Sequence, residues 1–114
     1  MLLEGVGRIS ERVSAEEIQS LARDLQLIRN QIQTVSSQAS EYSVTIEALS
    51  NQDPEKPVFR SLGNLLLEVG DRDSLSSELK DAKDSLDEHL VRLIEREEGL
   101  REQYEKKANL FEKG

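Results

Sequence analysis

Asp53-Pro54-Glu55-Lys56-Pro57-Val58-Phe59-Arg60-Ser61-Leu62-Gly63-Asn64-Leu65-Leu66-Leu67-Glu68-Val69 breaks the helical pattern of the long segments on either side of it. Pro54 and Pro57 stop any helix arriving from the N-terminal side, because proline lacks the amide proton and its ring clashes with the preceding turn. Val58–Leu62 and Leu65–Val69 are short β-compatible runs on either side of Gly63-Asn64, and Gly70-Asp71 closes the second run. Two such runs around a two-residue turn predict a β-hairpin. The register then pairs Leu62 with Leu65, Ser61 with Leu66, Arg60 with Leu67, Phe59 with Glu68 and Val58 with Val69. One face holds Val58, Leu62, Leu65, Leu67 and Val69, and the other holds Phe59 and Leu66.

Upstream lie Ile18, Leu21, Leu25, Ile28, Ile32, Val35, Ala39, Tyr42, Ile46 and Leu49, whose spacing alternates strictly between three and four. That alternation draws one narrow apolar stripe along a long helix, the seam of a coiled coil. Ser14 followed by Glu17 is a capping box, so the helix is expected to run from Ser14 to Ser50. Downstream, Leu79, Leu86, Leu93 and Leu100 recur every seventh residue, with Leu75, Ala82 and either His89 or Leu90 between them. Asp71, Asp73 and Ser74 are candidate caps for this second helix, which is expected from Ser74 to Glu112. Glu88/Arg92, Glu97/Arg101 and Glu102/Lys106 are acid-first pairs one turn apart, which support an exposed helix.

Two helices of similar length on either side of a short insert fold back on each other. The expected fold is mainly α: two long helices forming an antiparallel coiled coil, joined by a linker and one β-hairpin. It is a single domain over 1–114, with an N-terminal helical arm (1–50), a linker and hairpin (51–72) and a C-terminal helical arm (73–114). The hairpin is the awkward part. Two strands alone are marginal in water, and only Pro57 blunts the open edges. The helices are occupied with each other. The hairpin is therefore expected to pair with strands of other chains in an obligate oligomer; the alternative is a hairpin folded onto its own coil.

Composition agrees. Hydrophobic residues make up 36% and charged residues 33%, with no tryptophan, too lean for a conventional globular core. The net charge of −8 disfavours nucleic acid and anionic membrane as partners. No apolar run approaches the roughly 18 residues a membrane helix needs, and the N-terminus lacks the pattern of a secretory signal. The absence of cysteine excludes disulfides and thiolate metal sites. An enzyme is not expected: there is one histidine, and neither a nucleophile elbow nor a phosphate-cradling loop is present. His89 has no second imidazole or carboxylate at ligand spacing, so it reads as a residue at the seam edge. Glu16-Glu17 and Glu97-Glu98 are adjacent in sequence and point in different directions on a helix. No metal or cofactor is expected.

Residues 53–69 resemble the linker and hairpin of the prefoldin β-class subunits, of the archaeal type. The shared features are an acidic, proline-containing linker, the Val58-Phe59-Arg60 step, Gly63-Asn64 and the aliphatic run that follows. Glu78-Leu79-Lys80 and Leu93-Ile94-Glu95-Arg96-Glu97-Glu98-Gly99-Leu100-Arg101-Glu102 look like the second helix of the same family, with Gly99 a departure from its pattern. A single hairpin and 114 residues suit the β class rather than the two-hairpin α class. The resemblance implies an ATP-independent cytoplasmic chaperone subunit. In that family two α-class and four β-class subunits form a heterohexamer through their hairpins. Non-native polypeptide is held between coiled-coil tips and passed to a group II chaperonin. On this reading the oligomerisation hairpin is Val58, Phe59, Leu62, Gly63, Asn64, Leu65, Leu66, Leu67 and Val69. The other class of function compatible with the residues is a structural or tethering coiled coil that oligomerises through its hairpin.

The tips distal from the hairpin are the chain ends. Leu2, Val6, Ile9 and Val13 step by four, three and four, but stepping back from Ile18 along the seam meets Ser14, Glu11, Gly7 and Glu4 instead. Leu3 adds to the same cluster. At the other end Tyr104, Ala108, Leu110 and Phe111 are apolar, while the ideal seam positions hold Gln103 and Lys107. Apolar groups that the coil does not clearly bury can hold any unfolded chain by non-directional burial, and several arms together add avidity. These nine residues are the candidate client-binding tips.

Overall fold

A computed structural model of the chain describes residues 14–113. Helix α1 spans Ala15–Asn51. Ser14 is its N-cap: the Glu17 N–H donates to Ser14 Oγ at 3.1 Å, satisfying one of the amides that the first turn leaves free. Glu16 and Glu17 place negative charge at the positive end of the helix dipole. The last turn closes with the Gln52 N–H donating to the Leu49 carbonyl at 3.4 Å. Asp53 then makes the reversal that Pro54 demands. Its Oδ1 accepts from the Glu55 N–H at 2.9 Å and its carbonyl accepts from the Lys56 N–H at 3.1 Å, a β-turn with proline in the second place.

Strands β1 (Phe59–Leu62) and β2 (Leu65–Glu68) pair antiparallel. The register is Phe59 with Glu68, Arg60 with Leu67, Ser61 with Leu66 and Leu62 with Leu65. The Val69 N–H donates to the Val58 carbonyl at 2.8 Å, carrying the ladder one pair further. Gly63 has φ +58°, and no other residue among those described has a positive φ. A positive φ at the first turn residue alone is the II′ pattern, whose twist matches that of the strands.

Helix α2 spans Arg72–Lys113. Of the three candidate caps it is Asp71 that acts, accepting the Ser74 N–H on Oδ1 at 3.0 Å, so the helix begins two residues before Ser74. Arg72 Nη1 donates to the Asp53 carbonyl at 3.0 Å, and Arg60 pairs with Glu78 at 3.4 Å. These contacts tie the linker and β1 to the start of α2.

The chain divides into two compact units: one formed by the chain up to Gln33 with the chain from Val91 onward, the other Thr34–Leu90. In the first, Glu17 pairs with Lys107 at 3.7 Å and Arg29 with Glu97 at 3.2 Å. The partners step in opposite directions, so the helices run antiparallel. Leu25, Ile28 and Leu93 are buried between them, while Ile18, Leu21, Ile32 and Leu100 are half-buried. In the second unit Val35 and Ala39 are buried, and Tyr42, Ile46, Leu49, Leu75, Leu79, Ala82, Leu86 and Leu90 are half-buried. No polar or charged side chain is fully buried among the described residues. Among the described residues, each unit thus has the core of two helices alone, packed along one seam.

Candidate functional site

Every residue of both strands is exposed: Phe59, Leu62, Leu65, Leu66 and Leu67 present apolar side chains to solvent, and only the flanking Val58 and Val69 are half-buried. Leu66, on one face, is 73% exposed and Leu65, on the other, 63%. Neither face is therefore covered by the chain's own helices. The edges are open as well, since the described residues form a sheet of only two strands. The Val69–Val58 hydrogen bond marks that pair as a bonded one. Antiparallel pairing alternates, so the amides and carbonyls of Phe59, Ser61, Leu66 and Glu68 point outward along the two edges. The hairpin thus combines unpaired backbone donors and acceptors with apolar side chains on both faces. That combination accepts another strand on its edge and another apolar layer on its face.

The second candidate surface is at the end of α2. Leu110 and Phe111 are exposed, whereas Tyr104 and Ala108 are half-buried. Leu2, Leu3, Val6, Ile9 and Val13 lie outside the described residues. Tyr104 is half-buried because the seam of α2 takes a four-residue step from Leu86 to Leu90, leaving His89 exposed. All later intermediate positions move by one residue. The inward positions become Glu97 and Tyr104, while Arg96 and Gln103 are exposed. Glu97 was not visible as a seam residue in the sequence. Its side chain is only 15% exposed, and the Arg29 guanidinium covers it, with Nη2 at 3.2 Å and Nε at 3.4 Å from Oε1. Leu90 in place of His89 brings Glu97 into the seam, because the next position inward falls four residues after Leu93.

The remaining electrostatics are those of a solvated coil. Lys83 Nζ donates to Asp87 Oδ2 at 2.6 Å, and this hydrogen bond holds the ammonium above the usual lysine range. Among the described residues there is no group of three or more His, Cys, Asp or Glu arranged to hold a metal ion. No helix among the described residues is long and apolar enough to cross a membrane.

Comparison with known proteins points to one family. The family model described as "Prefoldin subunit" matches residues 13–112. The prefoldin subunit beta of Pyrobaculum calidifontis is 31% identical over 96 residues, covering 78% of this chain and 76% of that protein. The prefoldin subunit beta of Archaeoglobus fulgidus is 28% identical over 95 residues, covering 77% of this chain and 81% of the relative. Among solved structures, the prefoldin beta subunit from Thermococcus strain KS-1 superposes with a TM-score of 0.77 at 21% identity, over 86% of this chain and 85% of that one. The beta2 subunit from the same strain gives 0.71 at 20% identity, over 82% and 99%.

Proposed function

The chain belongs to the prefoldin subunit family, in its archaeal β class, and from that premise we propose that it works as an ATP-independent holdase subunit. Membership makes it a chaperone subunit that assembles with other prefoldin subunits. The proposal goes further. The hairpin joins two α-class and four β-class subunits into a heterohexamer, the exposed ends hold non-native polypeptide, and the particle passes it to a group II chaperonin in the cytoplasm. Nothing in this mechanism calls for catalysis or a cofactor.

The observation that carries the proposal is the hairpin, whose strands expose apolar groups on both faces and hydrogen-bonding groups on both edges. A monomer gains nothing from that surface. An assembly gains on the order of 1.5–3 kcal/mol for each leucine or phenylalanine it fully covers. The ends of the coil supply a different surface, suited to weak and unselective binding that several arms multiply.

Native mass measurement of this chain mixed with a two-hairpin α-class subunit tests the assembly. The expected species contains two partner chains and four copies of this one. A monomer or homodimer indifferent to that partner overturns the proposal in favour of a tethering coiled coil. For the holding step, the assembled particle is expected to suppress aggregation of a chemically denatured protein without nucleotide.

A further inference from the structure

The two edges of the hairpin are not equivalent. On β1 the outward backbone groups are those of Phe59 and Ser61, and the next outward position in line is Pro57, which has no amide to give. The middle of β1 also carries a charge, Arg60, which is engaged with Glu78 of α2 at 3.4 Å. On β2 the outward groups are those of Leu66 and Glu68, each with both amide and carbonyl, and the strand begins with the uncharged run Leu65-Leu66-Leu67. Proline and charge are what blunt a sheet edge against pairing. β1 meets a proline and holds its charge centrally, whereas β2 has no proline and holds its charge at the end.

The β2 edge is also its own complement. Laid antiparallel against β2 of a second copy, about a two-fold axis at Leu66, it sets Leu66 against Leu66, Leu67 against Leu65 and Glu68 against Asn64. No like charges oppose each other. The backbone groups of Leu66 already point outward, so this central pair is of the hydrogen-bonded class and both of its bonds can form. On one face, Leu62, Leu65 and Leu67 are 54%, 63% and 44% exposed in the single chain. In the pair, the leucines of both copies merge into one apolar layer with an Arg60 at each end. The sheet grows from two strands to four, past the three that a sheet needs for stability of its own. Joining β2 to β1 of the next copy instead would leave a free edge of each kind and run on without closing. The two-fold closes, and only the β1 edges remain outside.

We propose that copies of this chain join in pairs through their β2 edges, with Leu66 on the two-fold axis. The partner on this edge is thus a second copy of the same chain, and β1 is left for other contacts. The pair needs no other subunit. Only its place within a heterohexamer rests on the assembly reading above.

The chain contains no cysteine, so single substitutions report cleanly. Opposed residues of a bonded pair have Cα atoms about 5.5 Å apart, within disulfide reach. Leu66→Cys and Ser61→Cys each place a thiol at an exposed site, one on either edge. After mild oxidation of the full-length chain, alone and mixed with a two-hairpin subunit, Leu66→Cys is expected to give several-fold more covalent dimer than Ser61→Cys. Ser61→Cys closing as readily overturns the choice of edge. A second version keeps every leucine: chains carrying Asn64→Cys are mixed with chains carrying Glu68→Cys, and a disulfide-linked dimer of the two supports the register. Failure of both versions to close, in the chain alone and in the mixture, overturns the pairing. A heterohexamer that forms without these cross-links would leave the assembly reading standing and remove the β2 pair. Cross-links in a chain that ignores the two-hairpin subunit would do the reverse.

Discussion

Arg29 lies over Glu97 from the opposite helix, with two of its nitrogens within 3.4 Å of one carboxylate oxygen. The pairing spans the seam itself, because Glu97 occupies a position that a heptad would fill with leucine. A charged residue at one seam position costs stability and in exchange fixes the register of the two helices. Here the cost is limited: Arg29 remains half exposed and the carboxylate is only partly desolvated.

Replacing Arg29 by alanine should therefore destabilise the coil by about 1 kcal/mol. That is more than an exposed pair contributes, because the Glu97 carboxylate is left partly buried without its partner, and less than the loss of a fully buried one. Glu97→Leu in the same background should recover that stability or exceed it. Thermal melts followed at 222 nm measure both. A melting temperature for Arg29→Ala equal to the parent's would mean that the pair contributes nothing.

Two glycines should respond to alanine with opposite signs. Gly63 has φ +58°, and a Cβ there meets no neighbour within 4 Å, so the cost of Gly63→Ala is backbone strain alone, about 1 kcal/mol. It falls on the hairpin and should appear as weaker assembly with α-helical signal unchanged. Gly99 lies inside α2, and a Cβ there also meets open space. Gly99→Ala should stabilise the helix by about 1 kcal/mol and raise the melting temperature.

Much of this architecture is legible in the residues themselves. The unbroken alternation from Ile18 to Leu49 belongs to α1, and every member of that stripe is buried or half-buried in the structure. Pro54, Pro57 and Gly63-Asn64 locate the reversal, and the hairpin register follows from the two-residue turn. The second helix is harder to read. Leucines every seventh residue leave the position between them free to be three or four steps on, and either His89 or Leu90 satisfies the spacing. Only packing against α1 selects Leu90, and with it Glu97 and Tyr104. Glu97 is further concealed because its counter-ion, Arg29, is 68 residues away. The start of α2 was ambiguous for a local reason: Asp71, Asp73 and Ser74 can each cap a helix, and it is Asp71 that bonds the Ser74 amide.

The hairpin should behave as a surface whose loss the single chain does not feel. Leu66→Lys or Leu65→Glu places a charge on a side chain that is already solvent-exposed, so helicity at 222 nm should stay within error of the parent. Each should shift the population in native mass measurement from the assembled particle toward free chains. Assembly equal to the parent's with both substitutions combined would remove these faces from the interface.

The Lys83–Asp87 hydrogen bond gives a titration with a defined sign. Lys83 is held above the usual lysine value of 10.5, chiefly by that bond. The ammonium is thus favoured in the folded chain. Its contribution is complete below the unfolded pKa and is lost as pH rises through the higher folded one. In a lysine-selective NMR titration, Asp87→Asn should lower the midpoint of Lys83. A Lys83 titration unaffected by Asp87→Asn would show that the bond does not persist in solution.

The proposed holding surface at the end of α2 can be tested without weakening the coil that presents it, because the residues there differ in burial. Tyr104 and Ala108 are half-buried on the seam side of α2, so changing them would confound client binding with coil stability. Leu110 and Phe111 are exposed, and in the free chain their replacement removes few contacts among the described residues. Burial against an unfolded polypeptide contributes roughly 25 cal/mol per Å² of apolar surface. Loss of two large side chains from every copy of this chain in an assembly should then multiply through avidity. Leu110→Ser with Phe111→Ser should leave hexamer assembly and melting temperature near the parent's. It should raise by several-fold the particle concentration needed to halve light scattering from a denatured protein. Full protection by the variant at the parent's concentration would remove this end of α2 from the client surface.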